Sequence, residues 1–356
     1  MVDQVYIYGL LRKLQQAGHS TVLRCRGQDI SGDGLLASIF RYAKVLRAMD
    51  VGRGNLLGMF APNRPDALAL RYAAHVLGVA TVYLSMPSNE VQRRAVLKQM
   101  APDLLAVFPE TAECLDANTD IPFATVGTDK AGSCGRLDVL AAALPADPVP
   151  VMAIPSDLGV IASSGGSTGV PKGSCRSFAA YSAMVGALSP KDRIQLVNGP
   201  LAYLSQVLVD ITLLGGGRVV FRDAYEASDT LATIESEGIT DLFLVEPQLF
   251  EMMDHPDFGA FDLSSLRSLT HVGASAPRSL RLRARERLGP VLTHVYGASE
   301  MGIVSVLAPA EHDVGRPDLF TSAGRIQPGV NIRFRRAMGA WRPRKKVESS
   351  RSAPQR

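Results

Sequence analysis

Apolar positions along the chain follow two rhythms that take turns. Leu35, Leu36, Ile39, Phe40, Ala43 and Leu46 recur at the spacing of one helical face, with Ser31 or Asp33 placed to cap it. A short apolar run at 55–60 follows, is stopped by Pro62 and Asn63, and reads as a buried strand. Helix-like spacing returns at 66–78 and 89–100, with strand-like runs at 81–84 and 104–108. Beyond a proline-rich connection at 142–157 (Pro145, Pro148, Pro150, Pro155), further buried strands are predicted at 159–162, 194–198, 218–221, 242–245, 269–272 and 294–296. Strand and helix in alternation predict an α/β fold with layered helices and mainly parallel sheets. The expected organisation is a first lobe at 1–150, a second at 151–334 and a basic tail at 335–356.

Composition narrows the class. Hydrophobic residues make up 46% and charged residues 20% of 356, the balance of a globular protein with a sizeable core. No apolar run is long enough to span a bilayer, and the first fourteen residues lack the basic start and apolar centre of a signal peptide. The four cysteines are scattered and the six histidines show no i,i+4 pair, so reduced thiols, a cytoplasmic location and no protein-made metal cage are expected. The net charge of +4 conceals an asymmetry. Residues 333–356 hold nine Lys/Arg and one acid, a net +8, which leaves −4 for residues 1–332. A nucleic-acid-binding face is therefore not expected, and the tail reads as a solvated, disordered end.

The segment with the clearest chemistry is Ser163-Ser164-Gly165-Gly166-Ser167-Thr168-Gly169-Val170-Pro171-Lys172-Gly173, where four glycines and four hydroxyl residues occupy eleven positions. Glycine lets backbone N–H groups approach a ligand, hydroxyls add donors, and lysine adds a positive charge. These are the parts of a phosphate cradle, and equally of a Gly/Ser surface loop. Val170-Pro171 separates Gly169 from Lys172, which excludes a Walker A loop, and no Gly-x-Gly-x-x-Gly opens a helix as in a dinucleotide-binding fold.

This segment closely resembles the phosphate-binding signature of the adenylate-forming superfamily, which includes acyl- and aryl-CoA synthetases, luciferases and peptide-synthetase adenylation domains. Gly165 and Ser167 are departures from its commonest form. A second match, Tyr296-Gly297-Ala298-Ser299-Glu300, lies about 130 residues further on. Gly273-Ala274-Ser275-Ala276-Pro277 falls where that family has a loop beside the adenine, although a small-residue turn explains it nearly as well. Pro62-Asn63 with Asp66, Gly78 with Ala80, Gly315-Arg316-Pro317 and Pro328-Gly329-Val330 extend the resemblance over about residues 20–335.

The resemblance implies the N-terminal part of an AMP-forming acid–thiol ligase, with a β-barrel lobe left incomplete. Ser164, Gly165, Gly166, Ser167, Thr168, Gly169 and Lys172 would hold the ATP phosphates, and Gly273, Ala274, Ser275, Tyr296 and Gly297 would surround the adenine. Ser299 would contact the α-phosphate and Glu300 would hold Mg²⁺ on the phosphates; Lys172, Thr168 and Glu300 are the catalytic candidates. Coenzyme A is the implied acceptor and a small carboxylic acid the implied substrate.

Pro200-Leu201-Ala202-Tyr203 resembles the element that gates the acyl pocket, with Tyr203 and Gly297 at the pocket. No acidic residue stands at 203 or 204 to pair an amino-acid ammonium, so a fatty or aromatic acid is expected. The run Val207, Leu208, Val209, Ile211, Leu213 and Leu214 would line such a pocket or simply form a core helix.

The ribose-binding aspartate and the catalytic lysine found in the superfamily have no counterpart here. The expectation from the sequence is therefore a truncated chain, with weak nucleotide binding and little thioester formation. A non-catalytic nucleotide- or acyl-binding remnant, a homodimer and an enzyme needing a separate C-terminal chain all stay open.

Overall fold

The computed structural model describes residues 5–84, 90–112, 120–130, 132–164, 172–187, 189–202, 204–274, 276–298 and 300–333, with the backbone alone for Ser163, Ser164 and Lys172. The expected basic tail at 335–356 lies outside them.

In chain order the first stretch forms α1 (Tyr6–Ala17), β1 (Thr21–Cys25), β2 (Gln28–Ser31), α2 (Gly32–Ala48), β3 (Leu56–Phe60), α3 (Pro65–Val76), β4 (Ala80–Tyr83), α4 (Glu90–Met100), β5 (Leu104–Val107), β6 (Phe123–Thr125) and α5 (Leu137–Ala142). Then follow β7 (Leu158–Ser164), β8 (Lys172–Ser177), α6 (Phe178–Val185), β9 (Ile194–Val197), α7 (Leu204–Gly215), β10 (Arg218–Phe221) and α8 (Ala227–Glu237). The last are β11 (Asp241–Leu244), α9 (Glu246–Asp254), β12 (Ser268–His271), α10 (Arg278–Leu288), β13 (Leu292–Ala298), β14 (Gly302–Leu307) and β15 (Arg325–Ile326).

Two sheets organise these elements. Six strands run in the order β6-β5-β3-β4-β7-β8, and nine in the order β15-β14-β13-β12-β11-β9-β10-β1-β2. The interior pairs of both are parallel, and antiparallel pairing is confined to β7–β8, β1–β2, β13–β14 and β14–β15 at the margins. This is the layered, mainly parallel α/β architecture expected, and among the described residues no strands close into a barrel. Buried apolar strands such as Leu56–Phe60 and Leu104–Val107 follow from helices covering both faces of a parallel sheet.

Sheet membership interleaves the two expected lobes. β7 and β8, beyond the proline-rich connection, complete the six-stranded sheet, while β1 and β2 from the start of the chain edge the nine-stranded one.

Local sequence explains the helix boundaries. Ser31 caps α2, its Oγ accepting from Gly34 N at 3.1 Å, while Asp33 sits in the first turn against the positive end of the dipole. Pro65 and Asp66 open α3, and Gly78 at φ 75° follows its end; a Cβ there would lie 2.6 Å from Arg53 Cγ. From Ala67 to Val76 every residue of α3 is buried, so this helix is enclosed on all sides. Its polar residues Arg71, Tyr72 and His75 must then find partners inside the protein.

They do. Asp210 of α7 accepts from Arg71 Nη1 at 3.0 Å, Arg71 Nη2 at 2.6 Å, Tyr72 Oη at 2.5 Å and Tyr181 Oη at 2.7 Å, with Arg71 and Asp210 both fully buried. Tyr181 Oη also accepts from Arg71 Nη2 at 2.9 Å. Beside it, Tyr6 Oη meets His75 Nδ1 at 2.5 Å and His75 Nε2 meets Thr81 Oγ1 at 2.8 Å. Burial, reinforced by Arg71, pushes the His75 imidazole well below its usual range, so it is neutral. Side chains from α1, α3, β4, α6 and α7 thus converge on one polar centre within the largest apolar core.

Candidate functional site

The two ends of the Gly/hydroxyl segment sit where parallel sheets present ligands. β7 runs parallel to β4, so its end at Ser164 lies at the carboxyl edge of the six-stranded sheet, and β8 returns antiparallel with Ser164 opposite Lys172. Residues 165–171, and with them Gly165, Gly166, Ser167, Thr168 and Gly169, lie outside the described residues. So do Tyr203, Ser275 and Ser299.

The other expected half of the site belongs to the nine-stranded sheet. β12 and β13 are adjacent and parallel, so Gly273 and Ala274 after one, and Tyr296 within the other, emerge at the same carboxyl edge. Gly273 has φ 103°, a conformation that favours glycine, and both it and Ala274 are exposed. Tyr296 is 49% exposed, enough ring face for an aromatic partner to stack upon it. Gly297 is held against β14: a Cβ there would stand 2.3 Å from Gly302 O, so the backbone passes too close for any side chain. Glu300 follows in an exposed turn. Two sets of expected site residues therefore sit at the carboxyl edges of two parallel sheets, where open α/β folds bind ligands.

Among the described residues no cluster of three or more His, Cys, Asp or Glu could cage a metal ion. A lone exposed carboxylate such as Glu300 suits Mg²⁺, which takes one or two protein oxygens and completes its shell from phosphates. A cavity of about 410 Å³ opens elsewhere, among Cys25, Arg26, Ser38, Arg64 and Asp66, and none of the expected site residues lines it. Cys25, Cys134 and Cys175 are free thiols. No described helix is long and apolar enough to cross a membrane.

Two features escape a reading of the sequence. One is the Arg71–Asp210 centre, whose partners are 139 residues apart. The other is a histidine pair directly behind the Tyr296 edge. Leu-Thr-His-Val occurs at both 269–272 and 292–295, and the fold lays the copies side by side, Leu269 opposite Leu292, Thr270 opposite Thr293 and His271 opposite His294. The His Nδ1 atoms are 2.9 Å apart, and the rings lie edge to edge, inclined by 21°, with centroids 5.1 Å apart. The repeated tetrapeptide is the one sequence signal that could have revealed the pair.

Burial, then Arg281 and His312, lower His271 to about 4; burial, then Arg281 and His271, lower His294 to about 3. Both pKa values lie below the unfolded value of about 6.5, so the unfolded chain takes up protons first. Their contribution is complete above pH 6.5 and is lost as pH falls towards 4. Urea unfolding at pH 8 and pH 5 should show a stability loss on the order of a few kcal/mol, and His294→Gln should flatten that slope. An unchanged slope would place the acid sensitivity elsewhere.

With the geometry described, similarity to known proteins carries the assignment. Residues 10–339 match the family model described as AMP-binding enzyme. The chain belongs to that family. Its relatives include a medium/long-chain-fatty-acid–CoA ligase, FadD8, from Mycobacterium tuberculosis, 28% identical over 335 residues, 87% of this chain and 58% of the relative. An indoleacetate–CoA ligase from Aromatoleum aromaticum is 29% identical, covering 88% of this chain and 63% of the relative. Among solved structures, the amide bond synthetase McbA from Marinactinospora thermotolerans superposes with a TM-score of 0.82 at 28% identity, over 94% of this chain and 68% of that one. The chain spans about three fifths of the length of these curated relatives.

Proposed function

We propose that this chain binds ATP and a fatty or aromatic carboxylic acid and supports formation of an acyl-adenylate, the first half of acyl-CoA ligation. The observation that carries this reading is the position of Ser164 and Lys172, which flank residues 165–171, opposite each other at the carboxyl edge of a parallel sheet, in a chain of the AMP-binding enzyme family. In this reading the substrate carboxylate attacks the α-phosphorus of ATP, the bond to the bridging oxygen breaks, and pyrophosphate leaves. Ser164, Ser167, Thr168 and Lys172 hold the β- and γ-phosphates, Ser299 contacts the α-phosphate, and Tyr296 packs on the purine above Gly273, Ala274 and Ser275. Glu300 would hold Mg²⁺, which neutralises phosphate charge when bound. Catalysis is then positional and electrostatic, with donors fixed where charge gathers on the phosphoryl oxygens.

In this reading α7 stands beside the acid, and an apolar acid suits it. Val207, Leu208, Val209 and Leu213 are buried, and the acidic residue of that helix, Asp210, is fully engaged by Arg71, Tyr72 and Tyr181. It leaves no carboxylate for a substrate ammonium. The names of the relatives, one a fatty-acid and one an indoleacetate ligase, support the same class, and coenzyme A is the acceptor this reading favours.

Isotopic ATP–pyrophosphate exchange across a panel of fatty and aromatic acids tests the proposal. Exchange stimulated by at least one acid above the acid-free blank is expected. ATP binding without acid-stimulated exchange would favour a non-catalytic nucleotide-binding role instead.

A further inference from the structure

We propose that His271 and His294 are positioning residues for the purine end of the nucleotide site, a role that rests on the ATP-binding reading above.

Their place in the sheet is the first reason. His271 and His294 form the last register pair between β12 and β13. Beyond it the strands part company: β12 enters the turn at Gly273, whereas β13 continues to Tyr296 paired with β14, with a register shift between Tyr296 and Gly297. Two residues at roughly 3.3 Å each separate the histidines from Gly273 and Tyr296. The side-chain bond between the imidazoles therefore ties the two strands together where backbone pairing ends, about 7 Å behind the two groups assigned to the purine.

The chemistry is the second reason. Two Nδ1 atoms at 2.9 Å need one proton between them, so one ring donates and the other accepts. Among the described residues, no partner meets the buried Nε2 of His271 or of His312. A buried proton with no acceptor there is avoided if His271 carries its hydrogen on Nδ1 and donates to His294. Arg281 of α10, itself buried, brings positive charge to the pair and disfavours a second proton. Two register steps back, Leu269 and Leu292 occupy the same face with apolar side chains alone. A polar pair costs desolvation that leucine avoids, and a directional bond at the mouth of the site is what it returns.

Calorimetric ATP titration at pH 7.5, with a melting curve for each variant, decides the matter. His271→Phe and His294→Phe should each weaken ATP binding about tenfold, and the double variant no more than either single one, because one bond is lost in every case. His294→Gln, which keeps a donor and an acceptor, should stay within about threefold of the parent. If the phenylalanine variants do not fold, His271→Leu and His294→Leu, like the Leu269–Leu292 pair on the same face, supply the same cycle. Parent-like ATP affinity in the variants that remove the bond, or additive losses, would overturn the proposal even if melting temperatures fall. Tyr296→Ala is the control for the parent reading: if it leaves ATP affinity unchanged, the purine assignment fails and the positioning role with it.

Discussion

Asp210→Ala is expected to destabilise the protein by about 3–5 kcal/mol, measured by urea unfolding near neutral pH. The substitution strands a fully buried guanidinium and removes the acceptor of two buried tyrosine hydroxyls at once. Asp210→Asn preserves shape and one acceptor but not the charge, so it should fall between parent and alanine. Replacing Arg71 as well, as Arg71→Met with Asp210→Leu, removes both charges and should recover much of the loss. That recovery separates the cost of an unpaired charge from the cost of a cavity. A loss under about 1 kcal/mol for Asp210→Ala would mean that water reaches Arg71 or that the helices move apart to admit it.

Lys172→Ala carries the second large effect. If the lysine grips the terminal phosphates, its removal costs charge-assisted hydrogen bonds of about 1.5–3 kcal/mol, and ATP should bind roughly ten- to a hundredfold more weakly. AMP, which lacks those phosphates, should lose far less. The contrast between the two ligands is the decisive measurement, because a general loss of fold would weaken both alike. Equal losses for ATP and AMP would remove Lys172 from the phosphate grip.

Much of the fold was legible because parallel α/β layers leave a strong trace. Runs such as 55–60 and 104–108, buried on both faces, are nearly pure apolar segments and reappear as β3 and β5. The Ser31 cap was visible because capping is decided within one turn. By contrast β2, the edge strand, carries Gln28 and Asp29, and β1 next to it breaks its apolar run at Arg24, so neither reads as a buried strand. Helix α1 was not among the expected elements, although Tyr6, Ile7, Leu10 and Leu14 mark one face.

For the site, short segments could be recognised one by one. What links them could not. Arg71 with Asp210 and His271 with His294 are products of topology, and nothing in local spacing specifies a partner on another helix or strand. Only the duplicated Leu-Thr-His-Val left a trace of the second pairing.

The placement of β1 has a consequence for how the molecule comes into being. Leu23 lies opposite Val219, so β1 cannot take its final seat until β10, far along the chain, has been made. Contacts that bridge such a distance close slowly, and until then the Leu23 side chain waits without its neighbour. An early strand is thus seated by a late one.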